Sequence, residues 1–596
     1  MTFLPRPFSV CGFRSVSPRR ALFCLTSLAA AILLTPFSQA SSLTWNSGGG
    51  SPATPVDGSG TWNTSTAWWS NGVSNSAWNN ANNDTAVFGS SNGAAGTIDL
   101  GAAITAGGIT FNAATSGNYT VTGGAGPYTL TLAGVTPTIT ANVNAGISAV
   151  IGGSAGLTKA GAGVLTLSGT NTYTNGTVIS AGTLSAGANL NVGAALSSIA
   201  ILNGATFQWT GGLSGFNHTW TLGSGTATIQ VDGAAGLLSN GAIGFTGTGA
   251  RTLALAGTTA ASTLGGVLAD NGGEVTSLTK NGTGVWNLAA ANSYSGDTTI
   301  NAGTLALTSG SDRISVASTV KVNSGATLRL DVTAGQTIGT LQDGTSGGGT
   351  ISGNAIGTAV VTVQKGAFSG VLKDQNASKF LSLGKTTSDT LILTGTNNSY
   401  TGGTTIASGT LLINNVSGNA MGTGGVSLGA ATLGGSGFTT ATVTTTGVSS
   451  VISPGNSPGT LTLGALDATN GGRFVFELGT SQDLLNITGA LTGSTASGGL
   501  IFDLSNSGGL AAGVTYTLIT FGSATGLNYT DLAVNTLPSG FTLNNSFGGG
   551  GSGFNITATS LQVQFNSVPE PSTWMLLTAG IFLLVVLCRR DQRLEH

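Results

Sequence analysis

The sequence predicts an all-β chain folded as a solenoid of short stacked strands, and three observations carry that expectation. Glycine supplies 98 of 596 residues, about twice its usual share, without the strict three-residue period of collagen. Val, Ile, Leu and Thr recur in short alternating runs, and the mean hydropathy is +0.29, which argues against a disordered chain. A phrase at residues 156–184 returns at 277–305 and again at 383–411, the internal periodicity of a repeat architecture.

Residues 1–40 have the layout of an export signal. Arg6, Arg14, Arg19 and Arg20 form a basic region, Ala21 to Leu34 is apolar, and Ser38-Gln39-Ala40 offers small residues for cleavage after Ala40. Signal peptidase and the Sec export machinery are the partners this implies. An uncleaved anchor is the competing possibility, disfavoured by Pro36 directly after the apolar run. The three cysteines, Cys11, Cys24 and Cys588, fall inside the two segments read as targeting signals. The exported body therefore holds neither disulfides nor thiolate chemistry. It carries eleven Lys and Arg against seventeen Asp and Glu, too dilute a charge for a nucleic-acid partner.

Residues 41–145 are a tryptophan-rich β region. Trp45, Trp62, Trp68, Trp69 and Trp78 stand among Asn, Ser and Gly. Exposed indoles would stack on sugar faces, making this the candidate carbohydrate contact. The alternative, which we favour, is a cap whose rings cover the first turn of the solenoid.

Residues 146–466 carry the repeats. Lys159, Gly161, Leu167, Tyr173, Thr177, Ile179, Gly182 and Leu184 recur as Lys280, Gly282, Leu288, Tyr294, Thr298, Ile300, Gly303 and Leu305. The third copy keeps Lys385, Leu393, Tyr400, Thr404, Ile406, Gly409 and Leu411 but replaces the glycine turn with Thr386 to Thr390. These copies resemble the autotransporter-associated β-strand repeat, which implies a right-handed parallel β-helix of the kind found in bacterial surface proteins. Each copy reads as one rung of three short strands, with apolar residues inside and Thr and Ser outside. Roughly 20 rungs at about 4.8 Å would make a rod near 100 Å. The tyrosines are expected to pack at corners and the lysines to sit in turns. Whether the solenoid continues through 186–275, where the copies fade, is open at this level.

Residues 467–566 are longer-stranded and more aromatic, as in Phe474-Val475-Phe476, and are expected to cap the last rung. Ser453-Pro454-Gly455-Asn456-Ser457-Pro458-Gly459 just before them is similar to a phrase found late in autotransporter passenger regions. No closing series of amphipathic strands suggests a membrane barrel.

Residues 567–593 form a tripartite tail: Pro569, Glu570 and Pro571, then an uncharged apolar segment at 573–588, then Arg589 and Arg590. As a helix the segment would span about 24 Å, just short of a hydrocarbon core, with its arginines held on the cytoplasmic side. The tail resembles the PEP-CTERM sorting signal. That resemblance implies an exosortase-type membrane protease as partner, a membrane-anchored precursor, and delivery to the cell surface or extracellular matrix of a Gram-negative-type bacterium. A plain one-helix anchor is the alternative.

Function follows as structural or adhesive display, with extracellular polysaccharide as the expected contact. A polysaccharide lyase or hydrolase is the alternative, and it needs two carboxylates held close together. Asp270 with Glu274, Glu477 with Asp483, and Asp297 with Asp312 and Arg313 are the groupings available. His218 is the one histidine of the exported body, against His-based triads and multi-His zinc sites. No cofactor, metal ligand or catalytic residue is assigned.

Overall fold

A computed structural model of the chain describes residues 40–212, 214–259, 261–568 and 580–586. The described body is a right-handed-type β-solenoid of about 18 turns. Its strands are short because their sequences are: Thr129–Leu132, Thr138–Ala141 and Thr460–Leu463 each alternate a polar or β-branched outward residue with a buried apolar one. A three- or four-residue strand cannot stand alone. It is held because each strand hydrogen-bonds, in parallel, to the turn before and the turn after.

Register shows how the chain coils. Lys159 pairs with Ile179 and Leu165 with Leu184, so the two ends of one sequence copy lie on top of each other. A copy is therefore more than one rung: the repeating step is about 20 residues, as in the Ile151 to Asn171 bond between neighbouring turns. The sequence reading of one copy as one rung is corrected here. The hydrophobic phrase closes a turn and begins the next, because the interior rows must be continuous across turns.

The stack is also longer than the repeats. Ser42–Trp45 pairs in parallel with Thr85–Phe88, and Gly108–Phe111, Thr138–Ala141 and Leu157–Ala160 follow in the same sheet. Parallel pairing thus runs across the expected boundary at 145. It also runs through 186–275 without interruption, from Thr183–Ala186 through Thr206–Trp209, Gly225–Val231 and Arg251–Gly257 to Thr276–Lys280. Beyond 466 it continues from Val451–Pro454 to Gly472–Gly479, Leu500–Gly508 and Leu532–Thr536.

Antiparallel pairs sit at the two ends of the stack. Ser42–Trp45 takes Trp69–Ser70, which takes Asn75–Ser76. At the other end Ser560–Ser567 runs antiparallel to Thr515–Thr525, Phe541–Leu543 and Phe554–Ile556.

The core is the set of inward rows. Ile139, Lys159, Ile179, Ile201 and Leu222 belong to strands that succeed one another in a single sheet, and all five are buried. Removing such an aliphatic side chain from water contributes about 1.5–3 kcal/mol each. Among the described residues no helix is long and apolar enough to cross a membrane. Residues 580–586 are helical with exposed side chains. The rest of the 573–588 segment, the residues Pro569, Glu570, Pro571, Arg589 and Arg590, and positions 1–39 lie outside the described residues.

Candidate functional site

The residues that define the repeat point inward. Lys159, Lys280 and Lys385 are each fully buried, in register with Ile179, Ile300 and Ile406 of the next turn. Each four-carbon stem extends an aliphatic row, and the ammonium emerges at the corner, where carbonyls converge. Lys159 Nζ donates to the carbonyls of Ala160 (2.9 Å), Gly161 (2.7 Å) and Ala181 (3.0 Å). Lys280 Nζ repeats this with Asn281 (2.7 Å), Gly282 (2.8 Å) and Ala302 (3.0 Å). Lys385 has no glycine turn, yet its ammonium meets the Thr387 carbonyl and that of Ser408 at 3.3 Å. Burial pushes Lys159 and Lys280 down to about 8, while three carbonyl dipoles favour the charged form. The lysines are corner rivets.

The tyrosines are fully buried too. Tyr173, Tyr294 and Tyr400 hydroxyls bond Thr177 (2.8 Å), Thr298 (2.7 Å) and Thr404 (2.7 Å). Burial pushes all three phenols above their ordinary range.

Two positions before each tyrosine stands an asparagine that sequence reasoning passed over as a turn residue. Asn171, Asn292 and Asn398 accept the amides of Ile151, Leu268 and Leu372 at 2.7 to 2.8 Å. Their amide nitrogens donate to the carbonyls of Asn191 (2.5 Å), Arg313 (2.7 Å) and Ala420 (2.6 Å). One side chain thus ties the turn below to the turn above. Its recurrence before every repeat tyrosine was the available signal.

The tryptophans are not a sugar platform. Trp45, Trp62, Trp69 and Trp78 are interior, at most 2% exposed. Their rings pack on one another and on Phe88, with Trp62–Trp78 at 4.9 Å and Trp69–Phe88 at 5.5 Å. Trp68 is half-buried and meets Trp45 edge-on at 5.4 Å. The carbohydrate-contact expectation for this cluster is corrected, because the large rings fill a core otherwise built from short strands. Ala40 is exposed.

The acidic groupings disperse. Asp297 pairs with Lys321 at 2.5 Å, Asp312 accepts the Thr337 amide at 2.7 Å, and Arg313 donates to the Ser309 carbonyl at 2.6 Å. Asp270 accepts the amides of Thr276 and Ser295 at 2.8 and 3.1 Å. Asp483 and Glu477 do come together: the buried Asp483 carboxylate accepts the Glu477 amide at 2.8 Å and the Gly459 amide at 2.9 Å. Desolvation, with the Glu477 charge adding to it, raises the Asp483 pKa. This carboxylate pins the Ser453 to Gly459 loop. His218 is buried between Asn189 and Ser197, 3.0 and 3.1 Å from their carbonyls. Among the described residues no cluster of three His, Cys, Asp or Glu is arranged to hold a metal.

What faces outward is polar and repetitive. Thr304, Thr327 and Thr350 are Cα partners in successive turns, as are Thr390, Thr410 and Thr432. A groove of about 620 Å³ crosses the turns near Thr469, Thr492 and Thr525, and another of about 460 Å³ lies by Ser293, Asp312 and Val316.

A family described as passenger-associated-transport-repeat matches residues 157–186, 278–307 and 383–413, the three copies whose interior braces are described above. The chain is also similar to the adhesin BmaC autotransporter of Brucella suis biovar 1 (strain 1330), with 39% identity over 264 residues. That match covers 41% of this chain and 7% of the adhesin, so the chain spans only a small part of that protein's length. The three copies are thus similar to that repeat family, and part of the solenoid is similar to part of an adhesin.

Proposed function

We propose that this chain is a surface-displayed adhesive protein whose solenoid presents hydroxyl and amide rows to extracellular polysaccharide or to neighbouring cells. The observation that carries it is the division of labour in the repeat. Its Lys, Asn and Tyr are consumed in bracing the interior, which leaves Thr, Ser and Asn at fixed spacing outside. Similarity to an adhesin supports the same reading. The antiparallel strands at each end would act as caps that stop further strand addition.

Residues 1–40 would direct export, and the tail from Pro569 to Arg590 would act as a PEP-CTERM-type sorting signal, its membrane segment holding the precursor for an exosortase-type protease. The test is display and adherence in one strain. Loss of the protein should lower attachment to matrix-coated surfaces, and Glu570→Ala should leave an unprocessed precursor. Normal processing of that variant would sink the sorting signal and leave a plain anchor. Release of reducing ends or unsaturated products from polysaccharides by the pure protein, abolished by an acidic substitution, would replace the adhesive reading with an enzymatic one.

A further inference from the structure

We propose that the groove over Thr469, Thr492 and Thr525, with Asp467 beside it in the same strand row, is a binding site for an uncharged glycan chain, an inference that rests on the adhesive reading and gives it a location. Asp467 is the Cα partner of Thr492, and Thr492 of Thr525. The three side chains therefore share one outward row across three successive turns, repeating at about 4.8 Å. The Thr492 and Thr525 hydroxyls have no partner among the described residues. Asp467 takes both of its bonds, from the Thr469 amide (3.1 Å) and hydroxyl (2.5 Å), on Oδ1. Its Oδ2 is left to accept from outside.

The groove is preformed. Thr495 donates to the Thr469 carbonyl at 3.2 Å and Ser497 to the Thr530 carbonyl at 3.1 Å, which ties the corners of three turns together. At the far wall Asp531 is buried and accepts the Asn528 amide at 2.8 Å, fixing the Asn528 to Asp531 turn. Little ordering remains to oppose binding.

Chemistry selects the ligand. The lining consists of Thr, Ser, Asn, Gly and one Asp, without Lys or Arg. The Thr492 and Thr525 hydroxyls of the lining, with the Asp467 carboxylate next to them in the row, match the vicinal hydroxyls of a sugar, and the carboxylates of Asp467 and Asp531 disfavour uronates and other anions. The volume of about 620 Å³ suits a short segment rather than a single ring. Sequence gave no hint of it, because the row is assembled from residues 25 and 33 positions apart.

The experiment uses the full chain in detergent on an array of neutral oligosaccharides (gluco-, manno-, galacto- and N-acetylglucosamine oligomers) with uronate oligomers beside them. We expect binding to a neutral series. Thr492→Val with Thr525→Val, which keeps shape and removes both hydroxyls, should weaken it by about tenfold. Thr390→Val with Thr410→Val, on an outward row elsewhere, should not. Preserved far-ultraviolet dichroism verifies folding. A second variant, Thr525→Trp, places a bulky ring in the groove at an exposed lining residue, and should abolish binding. Binding only to uronates, binding unchanged in both groove variants, or no binding by the wild type overturns the site. If attachment of cells still depends on the protein while any of these holds, the adhesive reading stands and only this location fails.

Discussion

Lys280 and Ile300 are Cα partners in adjacent turns, so a cation occupies a row between the apolar Leu255 of the turn before and Ile300 and Val322 of the turns after. The arrangement is stable because the row needs only the lysine's hydrocarbon stem, while the ammonium reaches the three half-buried corner carbonyls of Asn281, Gly282 and Ala302. This explains why the residue recurs with its spacing to the next turn.

Lys280→Met tests the rivet. Methionine keeps the stem and strands the carbonyls of Asn281, Gly282 and Ala302, which should cost about 2–3 kcal/mol locally. Stacked repeats open piecewise, so the measurement is hydrogen exchange of residues 276–307, where protection should fall first. Unchanged protection would refute the rivet.

Asn292→Ala should be worse than its size suggests. It leaves the Leu268 amide and the Arg313 carbonyl unpaired in neighbouring turns, about 2–4 kcal/mol together. Asn292→Asp should not rescue, because a carboxylate cannot donate to Arg313. Limited proteolysis comparing the two variants checks this.

Tyr294→Phe removes one hydroxyl from a buried set in which Thr298 also bonds Ser318 at 2.8 Å. Since Thr298 keeps that partner, the loss should be about 1 kcal/mol. A drop as large as that of Asn292→Ala would show that the phenol, not the asparagine, is the main tie.

Gly303→Ala should destabilise the second copy. Gly303 has φ of 66°, and an added Cβ would stand 2.5 Å from the Gly284 carbonyl. Left-handed backbone and a close approach to the turn below both exclude a side chain. The expected cost is about 2 kcal/mol, read as a lower denaturation midpoint.

Acid should loosen the end of the stack through Asp503. Desolvation opposes its ionisation, but hydrogen bonds from Arg473, Asn535 and Thr536 and the Arg473 charge outweigh that and hold its pKa below the ordinary value of 3.8. A carboxyl depressed on folding stabilises the fold above its unfolded pKa. That stabilisation is lost as pH falls through the folded value. The wild type should therefore lose more stability below pH 3.8 than Asp503→Asn does, as followed by thermal melts across that range.

Much of the fold was legible. Alternation in runs such as Val164 to Leu167 gives strands and their buried faces, and the recurrence of Lys159, Tyr173 and Gly182 gives the solenoid. The faded stretch 186–275 was not legible, since Gly225–Val231 and Arg251–Gly257 keep the hydrogen-bonding pattern with different side chains. Backbone pairing tolerates any outward residue. The tryptophans left both a sugar contact and the favoured cap open, because a polar neighbourhood in sequence says nothing about which way an indole turns.

By itself the sequence determined the class of fold, the inward rows and the identity of the repeating residues, because these follow from local alternation and periodicity. Only the tertiary structure decided that a copy spans more than one turn, that Lys, Asn and Tyr are internal braces, and that Asp467, Thr492 and Thr525 share a row. The reason is physical: in a parallel stack every neighbour is a full turn away along the chain, so which side chains meet is set by register, and register exists only once the turns are stacked.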